Sequence, residues 1–224
     1  MKLSPLGDRA VVVALGSGLD PLALPRVRVL AEALGRGRLP GVVDVVPAFA
    51  TVTVFYEPEC IGSYAKLCAA IENCAARADA SMPAHEARRI EIPVCYEREF
   101  GPDLGDVAAH SGLVPNRVVE LHSGADYLVH GVGFAPGFGY LGGLPEEICT
   151  PRRASPRIQV PAGAVGIGGE QTGVYPFPTP GGWNLVGRTP LKMFDAAREE
   201  PALLQVGDRV KFRVISAKDF AAWK

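Results

Sequence analysis

Two hydrophobic periods divide the chain into unlike parts. In the first part, short apolar runs with strand character alternate with segments whose apolar residues recur at helical spacing. "RAVVVAL" (9–15) reads as a buried strand. Asp20-Pro21 then resembles a helix cap followed by proline at the first helical position, and Val27, Leu30, Ala31 and Leu34 fall on one face. Gly35 and Gly37 are expected to close that helix. "VVDVVPAF" (42–49) and "TVTVFYE" (51–57) read as strands. Ser63 caps a second helix in which Leu67, Ala70, Ile71, Cys74 and Ala78 share a face, and "RIEIPVCY" (89–96) is the next strand. Strand, helix, strand, strand, helix, strand is the order of a split β-α-β unit, an α+β domain.

The pattern lapses across "RADASMPAHEARR" (77–89), which sets a domain boundary between 84 and 85. A domain of residues 1–84 would be marginal alone and is expected to lean on residues 85–224. Two short helices follow, "DLGDVAAHSG" and, after Pro115, "NRVVELHSG", each ended by a glycine. From Tyr127 the chain changes character. Short strands recur between glycine-proline turns: "DYLVHGV", "AGAVGIGG", "WNLVGRT", "LKMF" and "DRVKFRVIS". Many short strands with no long helix predict a closed, barrel-like and mainly-β domain.

Charge narrows the function classes. The 224 residues carry 23 basic and 24 acidic side chains, a formal net charge of −1, so there is no overall field for nucleic acid or an anionic membrane surface. No run approaches the roughly 18 apolar residues of a membrane span, and Asp8-Arg9 spoils a leader reading of the N-terminus; a cytoplasmic protein is expected. Five cysteines without a C-x-x-C pair suit buried thiols better than disulfides. Four histidines without H-x-x-x-H spacing predict no metal site.

Two stretches concentrate glycine, proline and aromatic residues: "GFAPGFGYLGGLP" (133–145) and "FPTPGGWNLVGRTP" (177–190). The first contains G-x-G-x-x-G at 137–142, but Pro145 and Pro151 leave no room for the helix that a dinucleotide fingerprint requires, and no phosphate loop occurs elsewhere. Both stretches read instead as rigid loops on one face of the β-domain, their backbone angles restricted by proline and permitted by glycine. Phe134, Phe138, Tyr140, Tyr175 and Trp183 supply apolar walls. Arg152, Arg153, Arg157 and Arg188 supply forks for an oxyanion, so a small anionic molecule is the expected ligand class. Taken singly, each aromatic residue is equally at home in a core and each arginine on a solvated surface; only their grouping argues for a site. The pairs His110-Ser111 and His122-Ser123 read as helix caps, because adjacent side chains diverge on a helix. Glu146, Glu147 and Glu170 are candidate acids near the loops, and His130 reads as a strand residue.

"GFAPGFGYLGGL", "TPRRASPR", "QVPAGAVGIGGEQTGVYPFPTPGGWNLVGRTP" and "VGDRVKF" together resemble the family of the 5-oxoprolinase B-type subunit, the sporulation kinase inhibitor and allophanate hydrolase subunit 1. The likeness is dense over about 120–215. It implies a cyclophilin-like β-barrel behind the smaller α+β domain, and work as a subunit alongside a C-type barrel subunit and an A-type subunit. The implied reaction is the ATP-dependent opening of 5-oxo-L-proline to L-glutamate, with ATP and Mg2+ held in the complex and not tightly by this chain. Carried onto matching positions, the resemblance implies Arg157, Arg188 and Gln171 in the chemistry. It implies Phe134, Phe138, Tyr140, Arg152 and Tyr175, with Gly181, Gly182, Trp183 and Thr189, in substrate binding. The same family includes a histidine-kinase-binding inhibitor and carboxyltransferase modules of biotin-dependent urea carboxylases. The residues leave open which activity applies and which subunit holds the adenine.

Overall fold

A computed structural model describes residues 1–20, 22–78 and 87–223. The chain divides into two compact units, Met1–Glu86 and Ala87–Lys224. The expected 84/85 boundary, and Pro21, lie outside the described residues.

The first unit runs β1 (Lys2–Pro5), β2 (Ala10–Ala14), α1 (Ala23–Gly37), β3 (Val42–Ala48), β4 (Thr51–Tyr56) and α2 (Tyr64–Ala78). β4 lies between β2 and β3 and is antiparallel to both, so β2, α1 and β3 form a crossover with a strand inserted. Strict alternation in β4 buries Val52, Val54 and Tyr56 against Val27, Leu30 and Leu34 of α1 and Leu67 and Ile71 of α2. The Ser63 hydroxyl accepts from the Lys66 N–H at 3.3 Å, as the cap reading required. Asp20 accepts from the Leu22 N–H at 2.9 Å. Gly35 and Gly37 do not close α1: both lie inside it, and Arg38, with φ of 38°, turns the chain out.

The second unit contains β5 (Arg89–Val94), α3 (Leu104–Ser111), α4 (Pro115–Gly124), β6 (Tyr127–Val132), β7 (Gly139–Gly142), β8 (Arg157–Val160), β9 (Ala164–Gly168), β10 (Gln171–Val174), β11 (Thr179–Gly181), β12 (Asn184–Arg188), β13 (Arg209–Val214) and α5 (Ala217–Ala222). Its main path is β12-β9-β10-β7-β6-β13-β5, antiparallel throughout except for the last pair. The expected last strand of the split unit, β5, therefore belongs here, paired in parallel with β13. β8 and β11 form a separate two-stranded ribbon. The apolar cluster of this unit joins Ile92, Val94, Val107, Val118, Val129, Leu141, Ile167 and Phe212.

The expected closed barrel is replaced by an open, antiparallel-dominated path. Among the described residues its ends meet at one isolated bridge, where Cys95 and Arg188 exchange two N–H···O bonds of 2.8 and 2.9 Å. A longer ladder cannot form because the chain turns after Tyr96, with Phe100 and Gly101 both donating to the Glu97 carbonyl, while Pro190 has no N–H to offer. "LKMF" is not a strand: the segment makes one bridge, Phe194 to Ala202. α3 ends at Gly112 as expected, with φ of 66°, whereas Gly124 is the last residue within α4 and Ala125 caps it in an extended conformation.

Candidate functional site

The stretch 133–145 is the connection from β6 into β7 and beyond. Gly133 donates to the Phe138 carbonyl at 3.0 Å, Phe138 donates to Ala135 at 3.0 Å, and residues 139–142 form β7 between β6 and β10. The formal fingerprint thus runs into a strand, with only a short 3-10 turn at Glu146–Ile148 after it. Within this turn Phe134 has φ of 67°, in the left-handed region where a bulky residue is strained, yet the residue is 63 % exposed.

Opposite it, the second stretch supplies β11, β12 and the loop between them. Trp183 is buried edge-on against Phe138 (centroids 5.4 Å apart) and Tyr140 (6.0 Å); Phe138 also meets Tyr175 at 5.2 Å. Phe134 closes the group, edge-on to Phe138 at 5.4 Å and Tyr175 at 6.3 Å. Two glycines make this assembly possible by close approach. A Cβ on Gly168 would stand 2.6 Å from the Trp183 indole, and one on Gly181 would stand 2.5 Å from the Tyr175 hydroxyl oxygen.

The result is a cleft of about 200 Å³ bounded by Phe134, Phe138, Tyr140, Tyr175 and Trp183 on its apolar side, with Pro156, Pro180, Gly181 and Gly182. Arg152 and Arg153 form its cationic side. The Arg152 guanidinium lies over the Trp183 ring, 5.9 Å from its centroid. Burial pushes the Tyr175 hydroxyl above the ordinary phenol range, against the opposing pull of a backbone hydrogen bond at Trp183 and of the nearby Arg152 and Arg157 charges. It stays protonated as a donor at neutral pH.

Nine of the residues singled out from sequence therefore line one cleft: Phe134, Phe138, Tyr140, Arg152, Arg153, Tyr175, Gly181, Gly182 and Trp183. Arg157 does not line it. It lies beside it, paired through the backbone with Gly181 and bonded to Asp103 at 2.7 Å. Arg188, Thr189 and Gln171 are placed elsewhere. Arg188 donates from Nε to the Ala162 carbonyl at 2.9 Å and lies over the Phe220 ring, 5.9 Å from its centroid. Thr189 is buried, and its hydroxyl accepts from the Leu191 N–H at 3.2 Å. Gln171 begins β10, with a buried Nε2 that has no hydrogen-bond partner among the described residues. Glu170 is exposed at the turn between β9 and β10, outside the cleft.

Two features escape a reading of the sequence. His122 is not a cap: it is fully buried, with Nδ1 2.8 Å from the Tyr96 hydroxyl, Nε2 2.9 Å from Thr172 Oγ1, and its ring stacked on Phe212. Asp103, 2 % exposed, belongs to no motif; it sits just ahead of α3 and takes both Arg153 and Arg157 on Oδ1, at 2.9 and 2.7 Å. Its one signal in the sequence is its place at a helix start.

Residues 1–204 match the family described as carboxyltransferase domain, subdomain C and D. The chain belongs to that family. Its relatives include the B-type subunit of 5-oxoprolinase from Escherichia coli O157:H7, 48% identical with 92% of this chain and 93% of the relative covered. They also include the B-type subunit of 5-oxoprolinase from Bacillus subtilis (strain 168), 41% identical with 100% and 96% covered. Among solved structures, TTHA0988 superposes with a TM-score of 0.82 at 39% identity, covering 93% of this chain but only 40% of that one. The resemblance read from the glycine-proline stretches is thus shown, and the carboxyltransferase subdomain likeness extends over both units.

Proposed function

We propose that this chain is the B-type subunit of an ATP-dependent 5-oxoprolinase, acting with A-type and C-type subunits to open 5-oxo-L-proline to L-glutamate. The observation that carries the reading is 41–48% identity, over nearly the whole length of both chains, to proteins named as that subunit of 5-oxoprolinase. The cleft agrees in size and chemistry: about 200 Å³ suits a single small ring, the aromatic walls suit its methylene face, and arginines suit its carboxylate. A nucleotide is too large for this space, so the adenine and the Mg2+ would be held largely by the partner subunits. No group of metal-ligating side chains is present among the described residues.

In this reading the lactam oxygen attacks the γ-phosphorus of ATP, the bond to the β–γ bridging oxygen breaks, and ADP leaves. Water then adds to the activated ring carbon and the ring C–N bond opens, the nitrogen taking up protons as the amine of an acyl phosphate; a second water cleaves that acyl phosphate, giving glutamate and phosphate. This chain's part is to hold the substrate carboxylate, cover the ring and exclude bulk water, so that fixed donors meet the charge that develops. Arg152, with Trp183 beneath it, and the Tyr175 hydroxyl face that space. Arg157 and Gln171 remain proposed contributors that would have to act from beside the cleft or through a neighbouring subunit, whereas Arg188 is engaged by the Ala162 carbonyl and the Phe220 ring and is proposed to support the fold. The protein would act in the cytoplasm; no helix among the described residues is long and apolar enough to cross a membrane.

The test is reconstitution of the chain with A-type and C-type partners, measuring 5-oxoproline-dependent ADP release and glutamate formation. Both are expected only when the set is complete. A complete set that forms neither overturns the proposal. The family description favours a second reading, a carboxyltransferase half-site acting on urea or a similar amide; carboxylation of urea by the chain with a biotin-carrying partner would select it.

A further inference from the structure

The second unit holds two buried carboxylates paired with arginine, and they are built differently. Asp208 takes one guanidinium in a two-point fork, Arg88 Nε to Oδ1 at 2.9 Å and Nη2 to Oδ2 at 2.6 Å. That arrangement uses the matched geometry of both groups and needs nothing more. Asp103 takes two guanidinium groups on a single oxygen, from Arg153 Nη1 and Arg157 Nη2, while its other oxygen accepts from the Leu185 N–H at 2.7 Å. Neither arginine completes a fork there.

Two consequences follow from the count of charges and donors. Two cations share one buried anion; the next carboxylate, Asp106, is 3.8 Å from Arg153 and its side chain is 73% exposed, too solvated to balance the second charge. Two further donors, Arg153 Nε and Arg157 Nη1, are both buried without a partner among the described residues. An unmet buried donor forfeits its hydration with nothing in return, the more so when charged, and is rare without a reason. An oxyanion arriving between these groups would satisfy both the donors and the charge.

The backbone fixes Asp103 for this purpose. Its own N–H donates to the Leu185 carbonyl at 2.9 Å while its side chain accepts from the Leu185 N–H, so the carboxylate stands where a neighbouring strand's carbonyl would stand against β12. Arg153 lines the cleft directly; Arg157 follows Pro156 and pairs with Gly181, both of which line it.

We infer that Asp103, Arg153 and Arg157 form an oxyanion clamp at the cationic side of the cleft, in which Arg153 Nε and Arg157 Nη1 grip a carboxylate or phosphate oxygen and Asp103 is the positioning residue that holds the pair. The inference rests on the cleft being the ligand site assumed in the proposed function, but not on the ligand being 5-oxoproline.

The full chain is titrated calorimetrically with inorganic phosphate, with L-5-oxoproline and with the uncharged carboxamide of 5-oxoproline. The clamp predicts that phosphate or the carboxylate binds at least tenfold more tightly than the carboxamide. Arg153→Gln and Arg157→Gln each abolish that preference, and Arg153→Lys restores part of it. Asp103→Asn discriminates further: removing a negative charge should by electrostatics alone tighten anion binding, whereas loss of positioning weakens it about tenfold. Should Asp103→Asn fail to fold, the two Gln variants, at partly exposed side chains, still decide. Equal affinity for carboxylate and carboxamide, no oxyanion binding at all, or unchanged affinity in both Gln variants overturns the clamp. Phosphate binding that the Gln variants abolish, with no 5-oxoproline binding, keeps the clamp and rejects the proposed substrate. Full turnover of 5-oxoproline by complexes containing the Gln variants does the reverse.

Discussion

The Tyr96 hydroxyl donates to Nδ1 of His122 across 2.8 Å in the interior of the second unit. The direction is set by the far side of the ring. Thr172 Oγ1 spends its proton on the Gly166 carbonyl at 2.9 Å, so it must accept from His122 Nε2–H, which leaves Nδ1 as the acceptor. The imidazole is therefore neutral. Burial lowers its pKa from 6.5 to about 3.

This fixes the sign of a pH dependence. Below pH 6.5 the unfolded histidine binds a proton that the folded one refuses, so stability falls as pH drops from 6.5 toward 3. The slope from this group is about 1.4 kcal/mol per pH unit, roughly 5 kcal/mol over the whole window. Urea unfolding of the chain between about pH 4.5 and 7 checks it. His122→Gln, which cannot titrate, is expected to flatten the profile; parallel profiles for the two proteins would show that the imidazole is protonated in the fold.

Gly168→Ala is expected to destabilise by about 1–3 kcal/mol, since the added methyl would meet the buried Trp183 indole at 2.6 Å and a ring packed on Phe138 and Tyr140 has nowhere to retreat. The urea midpoint and the Trp emission should shift together. An unchanged midpoint would mean the aromatic group is loosely held.

Phe134→Gly separates strain from function. Glycine adopts φ of 67° freely, and the ring it removes is mostly exposed, so stability should stay within about 0.5 kcal/mol of the parent or rise. Affinity for 5-oxoproline should fall severalfold, because the ring closes the apolar side of the cleft. A large loss of stability with full affinity would reverse these roles.

Arg188→Ala is expected to act on the fold more than on the chemistry. Its guanidinium is occupied by the Ala162 carbonyl and the Phe220 ring, so a loss of about 1–2 kcal/mol in stability and turnover within about threefold of the parent complex are predicted. A thousandfold fall in turnover at unchanged stability would return Arg188 to the reaction.

The features legible in sequence are those that depend on neighbours along the chain. Alternation marks β4, helical spacing marks the buried faces of α1 and α2, and glycine-proline density marks the loops around the cleft, with seven of its lining residues. What sequence hides depends on partners far away in the chain. β5 reads as the last strand of the first unit by order, but its partner is β13, more than a hundred residues on. "HSG" reads the same at both occurrences, and only the fold brings Tyr96, Thr172 and Phe212 around His122. Asp103 carries no motif; its meaning comes from Leu185, Arg153 and Arg157, which close around it only when β12 and β8 are in place. The closed barrel fails for a local reason, the turn at Glu97, which composition does not reveal.

The part proposed for this chain in the reaction depends on the cleft floored by Trp183 receiving the substrate. Because Trp183 and Trp223 are the only tryptophans, Trp223→Phe leaves Trp183 as the sole indole reporter. That variant, labelled with 5-fluorotryptophan and assembled with unlabelled partner subunits into a complex that retains turnover, should show on titration with L-5-oxoproline a saturable change in the Trp183 fluorine resonance whose midpoint tracks the KM. Turnover with no change in that resonance at saturating substrate would contradict binding in the cleft.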